Sequence, residues 1–330
     1  MSSGALRIGV LGCADIAVRR MLPAFAASPQ VELVAVASRD ELKARRTADR
    51  FGCGAVHGYR ELLELDDVEA VYVPLPAALH APWVEAALRS DRHVLAEKPL
   101  TTELTGTRAL VALARERGLA LMENVMFVHH HQHAAVRRLV TEGAIGELRF
   151  FHASFAVPAR AADDIRHDPA LGGGALWDTG VYPLRAAQYF LGPDLDVVGC
   201  RLVTGSDRTV DTSGAVLLAA PGGVSAQLTF GLEHAYRNTY ELWGSRGHIT
   251  VDRAFTPPAD RPPDIVLHRG TTAEDIRLGP DDQVANTVAA FVRAVRTGSG
   301  PDEASLGQAA LLERVRRCGR PVVDAERTRA

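Results

Sequence analysis

The sequence predicts an α/β protein in two parts. An N-terminal doubly wound parallel sheet is followed by a C-terminal α+β part with a large open, mostly antiparallel sheet. Three observations carry this reading. Through residue 125, short apolar runs alternate with helical stretches of about 10–15 residues, the pattern of a parallel sheet with helices on both faces. The first apolar run enters a glycine turn and then a helix. Beyond residue 125, strand-like runs follow one another through turns, which favours antiparallel neighbours. The expected domains are residues 1–125 and 126–330 of the 330-residue chain.

The elements follow in order. Leu6 to Leu11 is an apolar strand, and the helix after its glycine turn reaches about Ala27. Val31 to Ala37 is the next strand. Asp40 caps a helix to Phe51, and Gly52 stops it. Ala70 to Val73 is a strand ended by Pro74-Leu75-Pro76, and Pro82 to Arg89 is helical. His93 to Ala96 is a strand leading into Lys98. Glu103 to Arg117 is helical, Gly118 ends it, and Leu119 to Met122 is a further strand. In the second part, a helix around Gln132 to Thr141 leads to a longer strand, Leu148 to Val157. Another helix follows Gly172-Gly173-Gly174. Strand-like runs come at Val197 to Val203, Ala215 to Leu218, Val224 to Phe230, Thr239 to Trp243 and His248 to Val251. A proline-rich loop spans residues 256–264. Helices at about Asp282 to Thr297 and Glu303 to Arg317 finish the pattern.

Composition narrows the function. Hydrophobic residues make up 47% and charged residues 23%, enough apolar surface for a full core. The net charge of −3 is mixed along the chain, so no basic tail or stripe points to a nucleic acid polymer. No polybasic segment or uncharged apolar run of roughly 18 residues points to a membrane. Cys13, Cys53, Cys200 and Cys318 are far apart, as expected of free thiols in a reducing compartment. The N-terminus reads as a strand rather than a signal peptide, and the expected location is cytoplasmic.

Strand one ends in Gly12-Cys13-Ala14-Asp15-Ile16-Ala17, a variant of the G-x-G-x-x-G/A dinucleotide fingerprint with small residues at the second and third glycine positions. The helix start offers free N–H groups to phosphates. The alternative is a tight turn in some other α/β protein. Strand two ends in Ser38-Arg39 rather than the acid that binds a ribose 2′-hydroxyl. A hydroxyl and a guanidinium suit a 2′-phosphate, so NADP(H) is the expected cofactor of a Rossmann domain here. Asp40 is left to cap its helix.

Of 37 basic residues only Lys43 and Lys98 are lysines. Arginine cannot replace lysine where a compact ammonium meets one oxygen or takes part in proton transfer. Lys98 lies in Glu97-Lys98-Pro99 at the carboxyl end of a parallel strand, where open α/β sheets bind ligands. The second candidate group is Gly172-Gly173-Gly174 leading to Asp178-Thr179-Gly180-Val181-Tyr182. Asp178 and Tyr182 are four apart and share a helix face. A phenol, a lysine and a carboxylate near a nicotinamide suit carbonyl reduction without a metal. An ammonium nearby brings the phenol toward working pH. Lys98 and Tyr182 are the catalytic candidates.

These motifs, with Pro74-Leu75-Pro76 and His80, resemble the glucose–fructose oxidoreductase/inositol dehydrogenase family (Gfo/Idh/MocA) over nearly the whole chain. The resemblance implies a Rossmann domain and a C-terminal open sheet commonly used for oligomerisation, hence a homodimer or homotetramer. Stretches such as Tyr72-Val73-Pro74-Leu75-Pro76, Met122-Glu123-Asn124-Val125-Met126-Phe127 and Phe255-Thr256-Pro257-Pro258 resemble the dTDP-sugar 3-ketoreductases of deoxysugar biosynthesis. That implies NADPH-dependent reduction of the C3 ketone of a nucleotide-linked 3,4-diketo-2,6-dideoxy sugar. It also implies Tyr182 as proton donor, with Lys98 positioning the ketone. The expected cofactor residues are Gly12, Cys13, Ala14, Asp15, Ile16, Ser38, Arg39, Leu75, Pro76, His80, Glu97, Lys98 and Trp177. The expected substrate residues are Lys98, Arg166, Asp178 and Tyr182.

Other features have two readings each. His80 lies near the nicotinamide or caps the following helix, and Trp177 covers the cofactor or belongs to the core. Arg160, Arg166 and His167 hold a diphosphate or are ordinary surface residues. His129-His130-His131 and His133 lack a cysteine or carboxylate at fixed spacing, so no metal is expected; one imidazole is expected at the substrate cleft and the others in solvent. Competing functions are an NADP-dependent dehydrogenase of a free sugar, inositol or trans-dihydrodiol, and a non-catalytic NADP-binding sensor.

Overall fold

The computed structural model describes residues 4–301, 303–319 and 321–324. Two compact units form, one of Met1–Val125 with Val284–Leu306 and one of Met126–Gln283 with Gly307–Ala330. A contiguous second domain from residue 126 was expected, but the chain returns to the first unit near its end. Local contacts explain why. Arg296 donates to the Gly4 carbonyl at 3.0 Å. Arg115 pairs with Glu303, and Leu306 packs on the first unit's core.

The first unit holds a six-stranded parallel sheet. Its strands are β1 (Leu6–Leu11), β2 (Val31–Ser38), β3 (Gly54–His57), β4 (Ala70–Val73), β5 (His93–Glu97) and β6 (Leu121–Asn124). Their order is β3-β2-β1-β4-β5-β6. Residues of β1, β4 and β5 such as Val10, Val71 and Leu95 are wholly buried, as strands covered on both faces require. The helices are α1 (Leu22–Ala27), α2 (Glu41–Phe51), α3 (Tyr59–Leu63), α4 (His80–Arg89) and α5 (Leu104–Glu116). Asp40 caps α2 by accepting from the Lys43 N–H at 3.1 Å, and left-handed Gly52 ends it. β3 and α3 were not foreseen. β3 is an edge strand of exposed and half-buried residues, so it carries no apolar run to read.

The second unit opens with α6 (His131–Thr141) and β7 (Leu148–Ala156), then α7 (Val181–Leu191). The strands β8 (Asp196–Gly205), β9 (Asp211–Ala219), β10 (Ser225–Gly231), β11 (Arg237–Gly244), β12 (His248–Asp252), β13 (Asp264–Arg269) and β14 (Thr272–Asp275) follow. The helices α8 (Gln283–Thr297) and α9 (Glu303–Cys318) and the strand β15 (Pro321–Asp324) close the described chain. Nine strands form one sheet in the order β14-β13-β12-β11-β7-β10-β9-β8-β15. Only the β7–β10 and β8–β15 pairs are parallel. α7 packs on one face, where Phe151, Ala153, Leu228, Tyr240 and Leu242 are buried. The alternate residues Phe150, Gln227, Glu241 and Trp243 lie on the other face. The strict two-residue period of β11 shows this division most clearly. No helix among the described residues is long and apolar enough to cross a membrane.

Candidate active site

In the first unit the expected cofactor residues gather at the carboxyl ends of the parallel strands. The order reverses between β1 and β4, the switch point at which open α/β sheets bind ligands. The turn after β1 flanks it. Gly12 has φ 120°, and a Cβ there would lie 2.9 Å from Leu75 Cδ2, so both backbone and space demand glycine. Its N–H donates to the Ala37 carbonyl at 2.9 Å. Cys13 is buried, and burial raises its thiol pKa. Ala14 and Ile16 are half-buried and Asp15 is exposed beside Arg19. A π-helical turn, Ala17–Met21, runs into α1. This start presents N–H groups with no carbonyl of their own helix to bond.

At the end of β2, Ser38 Oγ accepts from the Asp40 N–H at 3.1 Å, which leaves its hydroxyl hydrogen for another acceptor. Arg39 is exposed, and its guanidinium approaches the Tyr59 phenol. Burial raises the pKa of that phenol, and Arg39 partly offsets the rise. The glycine turn, the helix start and the Ser38-Arg39 pair fit a dinucleotide with a phosphorylated ribose.

The end of β5 is fixed from within. Glu97 is buried and accepts from Tyr72 Oη and Asn124 Nδ2, both at 2.6 Å. The Lys98 N–H reaches its other oxygen at 3.4 Å. Glu97 was expected to contact the cofactor; its carboxylate is instead spent on neighbouring strands and anchors the backbone of Lys98. The Lys98–Pro99 peptide is cis, and Lys98 itself is half-buried. Glu123 accepts from the Leu100 N–H at 2.9 Å and holds the chain beyond the turn.

His80 also departs from expectation. It is 1% exposed, with Nδ1 2.7 Å from the Pro99 carbonyl and Nε2 2.7 Å from the Leu75 carbonyl. Burial, the largest influence, pushes its pKa down despite those carbonyls. Both nitrogens are therefore engaged with backbone, and the ring joins the turn after β4 to the turn after β5. Tyr72, Asn124 and Glu123 were not singled out as site residues. Tyr72 and Asn124 act across strands, so their contacts leave no local spacing to read.

In the second unit the triple glycine is a packing device. A Cβ at Gly173 would lie 2.5 Å from the Arg166 carbonyl oxygen. The Gly174 N–H donates to that same oxygen at 2.9 Å. The loop carrying Arg166 thus lies directly on the glycines, and this brings Arg166 to Asp178. Its Nε donates to Asp178 Oδ2 at 2.7 Å, and Nη1 pairs with Asp164 at 3.1 Å. Burial alone would raise the Asp164 pKa, but its bonds from Arg166 hold it below the ordinary range. Two of the expected substrate residues are therefore partners. Arg160 is exposed, and both ring nitrogens of buried His167 lack a protein partner.

A π-helical turn, Leu176–Gly180, leads into α7, so Asp178 and Tyr182 do not lie on one continuous α-helix. Gly180 lets this turn approach the sheet: a Cβ there would lie 3.3 Å from the Phe230 ring. Tyr182 is half-buried among aromatic rings. Phe155 stands edge-on at 4.8 Å, Phe255 at 5.8 Å and Phe127 at 6.1 Å between centroids. Trp177 is half-buried in the same turn.

Two of the four histidines, His130 and His133, are buried, contrary to the expectation that all but one would be solvated. His130 caps α6, with Nδ1 accepting from the Gln132 N–H at 3.2 Å. His133 is fully buried against the Tyr240 hydroxyl at 3.0 Å, and burial pushes its pKa down to about 3. A carboxylate absent from the local spacing comes from far along the chain: Asp281 lies beside His130 and His131. Among the described residues these three form the grouping able to hold a metal ion. Two of its donor atoms are already occupied, since Asp281 accepts from the His131 N–H at 2.8 Å.

The fold and both sets of residues define an oxidoreductase with a dinucleotide-binding domain. Residues 6–125 match the family described as oxidoreductase family, NAD-binding Rossmann fold. Residues 133–250 match the GFO/IDH/MocA C-terminal domain. The chain belongs to the GFO/IDH/MocA oxidoreductase family. Within it, the chain is 55% identical over 324 residues to dTDP-3,4-didehydro-2,6-dideoxy-alpha-D-glucose 3-reductase of Streptomyces violaceoruber, covering 94% of this chain and 95% of that one. The enzyme of the same name from Streptomyces antibioticus is 52% identical, with 96% and 97% covered. The crystal structure of KijD10, a 3-ketoreductase from Actinomadura kijaniata in complex with NADP and TDP-benzene, superimposes with a TM-score of 0.95. It is 52% identical, and 97% of this chain and 99% of that chain are covered. Variants of that enzyme with one lysine or one tyrosine replaced were crystallised with the same two ligands. Those two residues have the same separation in sequence as Lys98 and Tyr182.

Proposed function

We propose that this protein reduces the C3 ketone of a dTDP-linked 3,4-diketo-2,6-dideoxy sugar with NADPH, a step of deoxysugar formation. The observation that carries the reading is that a chain similar end to end to enzymes named for this reaction keeps Lys98 and Tyr182 at the sequence separation of the lysine and tyrosine replaced in the KijD10 variants. The free-sugar and dihydrodiol alternatives require the same pair, so they are separated by substrate rather than by residue. The intact pair argues against a sensor without catalysis.

The first unit holds the cofactor. Gly12, Cys13, Ala14, Asp15 and Ile16 cradle the pyrophosphate at the helix start. Ser38 and Arg39 take the 2′-phosphate, while Leu75 and Pro76 line the wall beside the turn. His80 and Glu97 shape this wall through the backbone, and Trp177 covers the nicotinamide. NADPH, when bound, supplies hydride to the ketone carbon. Lys98 orients the ketone and, as an ammonium, stabilises charge on its oxygen and favours ionisation of the phenol. Tyr182 gives its proton to that oxygen. Arg166, steered by Asp178, meets the substrate's anionic portion. The enzyme works in the cytoplasm as a homodimer or homotetramer, with a second copy of the chain on the outer face of the nine-stranded sheet.

Replacing Tyr182 by Phe tests the acid. Turnover falls by about a hundredfold or more if the phenol is the donor, because general acid catalysis contributes on that order. NADPH affinity, measured by fluorescence titration, stays the same. Unchanged turnover would remove Tyr182 from the role.

A further inference from the structure

We propose that Asp211 is a positioning residue whose ionised carboxylate clamps the start of the π-helical turn that carries Asp178 and leads into α7, holding Tyr182 for turnover only while Asp211 is charged. The clamp extends the proposed function and takes the role of Tyr182 from it.

Asp211 opens β9, which is hydrogen-bonded to β8 on one side and β10 on the other. Asp211 itself pairs with Thr204 of β8, at the end of a strand held on both sides from Ser213 onward. Its Oδ2 accepts from the Leu176 N–H at 2.7 Å. The Ala175 N–H and its own N–H also turn toward the carboxylate. At a helix start such N–H groups have no carbonyl of their own helix to bond. Gly174 completes the fit. Its φ is 123°, and a Cβ there would lie 2.5 Å from Asp211 Oδ1. The third glycine is thus the space that the carboxylate occupies. Thr179 Oγ1 donates to the Ala175 carbonyl at 3.1 Å, passing the anchor along the turn that leads into α7 and Tyr182.

Several titratable groups stand on the surrounding elements; in the loop lying on the glycines, Asp168 accepts from the Ala170 N–H and buried His167 has neither ring nitrogen bonded to protein. In the clamped segment, Asp178 pairs with Arg166. In the loop before β9, Arg208 pairs with Glu233, which follows β10, and Asp207 stands in the same loop. β8 offers Thr204 opposite Asp211. The ionisation is set by burial against N–H bonds, with burial the larger: the pKa is raised to about 6. As pH falls through about 6 the carboxylate takes a proton and loses acceptor strength, and the helix start is released. The raised value also fixes the sign for stability. Between about pH 4 and 6 the folded chain binds this proton better than the unfolded chain. Over that range protonation weakens the N–H bonds to the carboxylate while the fold as a whole gains stability relative to the unfolded chain.

Two readouts test the clamp. The first needs no substrate. Amide hydrogen exchange over residues 175–182, corrected for intrinsic pH dependence, should quicken about tenfold from about pH 7.5 to about 5.5. In Asp211→Asn, which keeps an acceptor oxygen but cannot titrate, the segment should exchange at one rate across that range. Uniform exchange in the unaltered protein would overturn the clamp. The second readout is the kcat–pH profile with NADPH and the dTDP-ketosugar. An acid limb near pH 6 should be present in the unaltered enzyme and absent from Asp211→Asn, with both KM values within about twofold. A limb that survives in the Asn variant would overturn the proposal. Should that variant not fold, Gly174→Ala presses a methyl group on the other carboxylate oxygen, Oδ1. It should lower kcat about tenfold with NADPH affinity unchanged, and an unchanged kcat would overturn the clamp. Absence of all turnover in the unaltered enzyme would count against the ketoreductase reading, and the exchange measurement would then decide the clamp by itself.

Discussion

Arg39 illustrates how much a single residue at a strand end can decide. It follows the last residue of β2, the place where an acid would select a free ribose hydroxyl. Here the adjacent carboxylate, Asp40, is occupied as the cap of α2 and cannot take that role. Arg39 is exposed; its main-chain oxygen lies 3.1 Å from His57 Nε2, so its backbone is held, and its guanidinium stands beside the Tyr59 phenol. Arg39→Ala should therefore raise KM for NADPH about tenfold or more, the loss expected for charge-assisted bonds to phosphate, and leave KM for NADH unchanged. Equal KM for NADPH in variant and parent would refute this assignment. The contacts legible from sequence were local ones: Asp40 caps the helix that it immediately precedes. The side-chain bonds of Glu97, His80 and Asp211 left no local spacing to read, because their partners lie on other strands or loops. Nothing near Asp211 in the sequence points to Leu176.

At the scale of elements, α6 shows how burial turns an apparent ligand run into structure. His133 lies beneath Tyr240, with Phe127 at 5.1 Å and Phe190 at 6.5 Å between ring centroids. Desolvation keeps the ring neutral, with a pKa of about 3. In the unfolded chain the same ring titrates near 6.5. Its contribution is therefore present above about pH 6.5 and is lost as pH falls from there toward 3, where the unfolded state alone binds the proton. The loss at pH 5 is about 2 kcal/mol. Urea denaturation between about pH 7 and 5 should show it, and His133→Phe should have a shallower pH slope even if its absolute stability is lower. Equal slopes would mean that His133 is protonated in the fold. Helical spacing placed α6 correctly, but its histidines could not say which side faced the core, since His131 and His133 point to nearly opposite sides and His129 and His130 precede the helix. β13 and β14 were also not foreseen. β14 is exposed at all four residues, so no alternation marks it as a strand. α2 is the opposite case: cap, amphipathic face and glycine stop all lie within the segment.

At the scale of the whole molecule, the outer face of the nine-stranded sheet carries its own argument. Register places Phe150 of β7, Trp243 of β11, His248 of β12 and His268 of β13 in one row across four neighbouring strands. The two imidazoles stack at 4.3 Å. Trp243 is 57% exposed, and Leu217 and Val198 on β9 and β8 are also open. Such a row is costly in water and is relieved when a second sheet covers it, since large apolar patches mark association surfaces. A sheet face presented by identical chains suits an isologous pairing in which each residue meets the same row on the other copy. Trp243→Glu would place two carboxylates in that contact, where burial of unpaired charge costs several kcal/mol. Light scattering after size-exclusion chromatography should then show a smaller species than the parent chain forms, with NADPH binding retained. A parent chain that is monomeric, or a variant of unchanged mass, would show that this face is not the interface and that the row is stable in solvent.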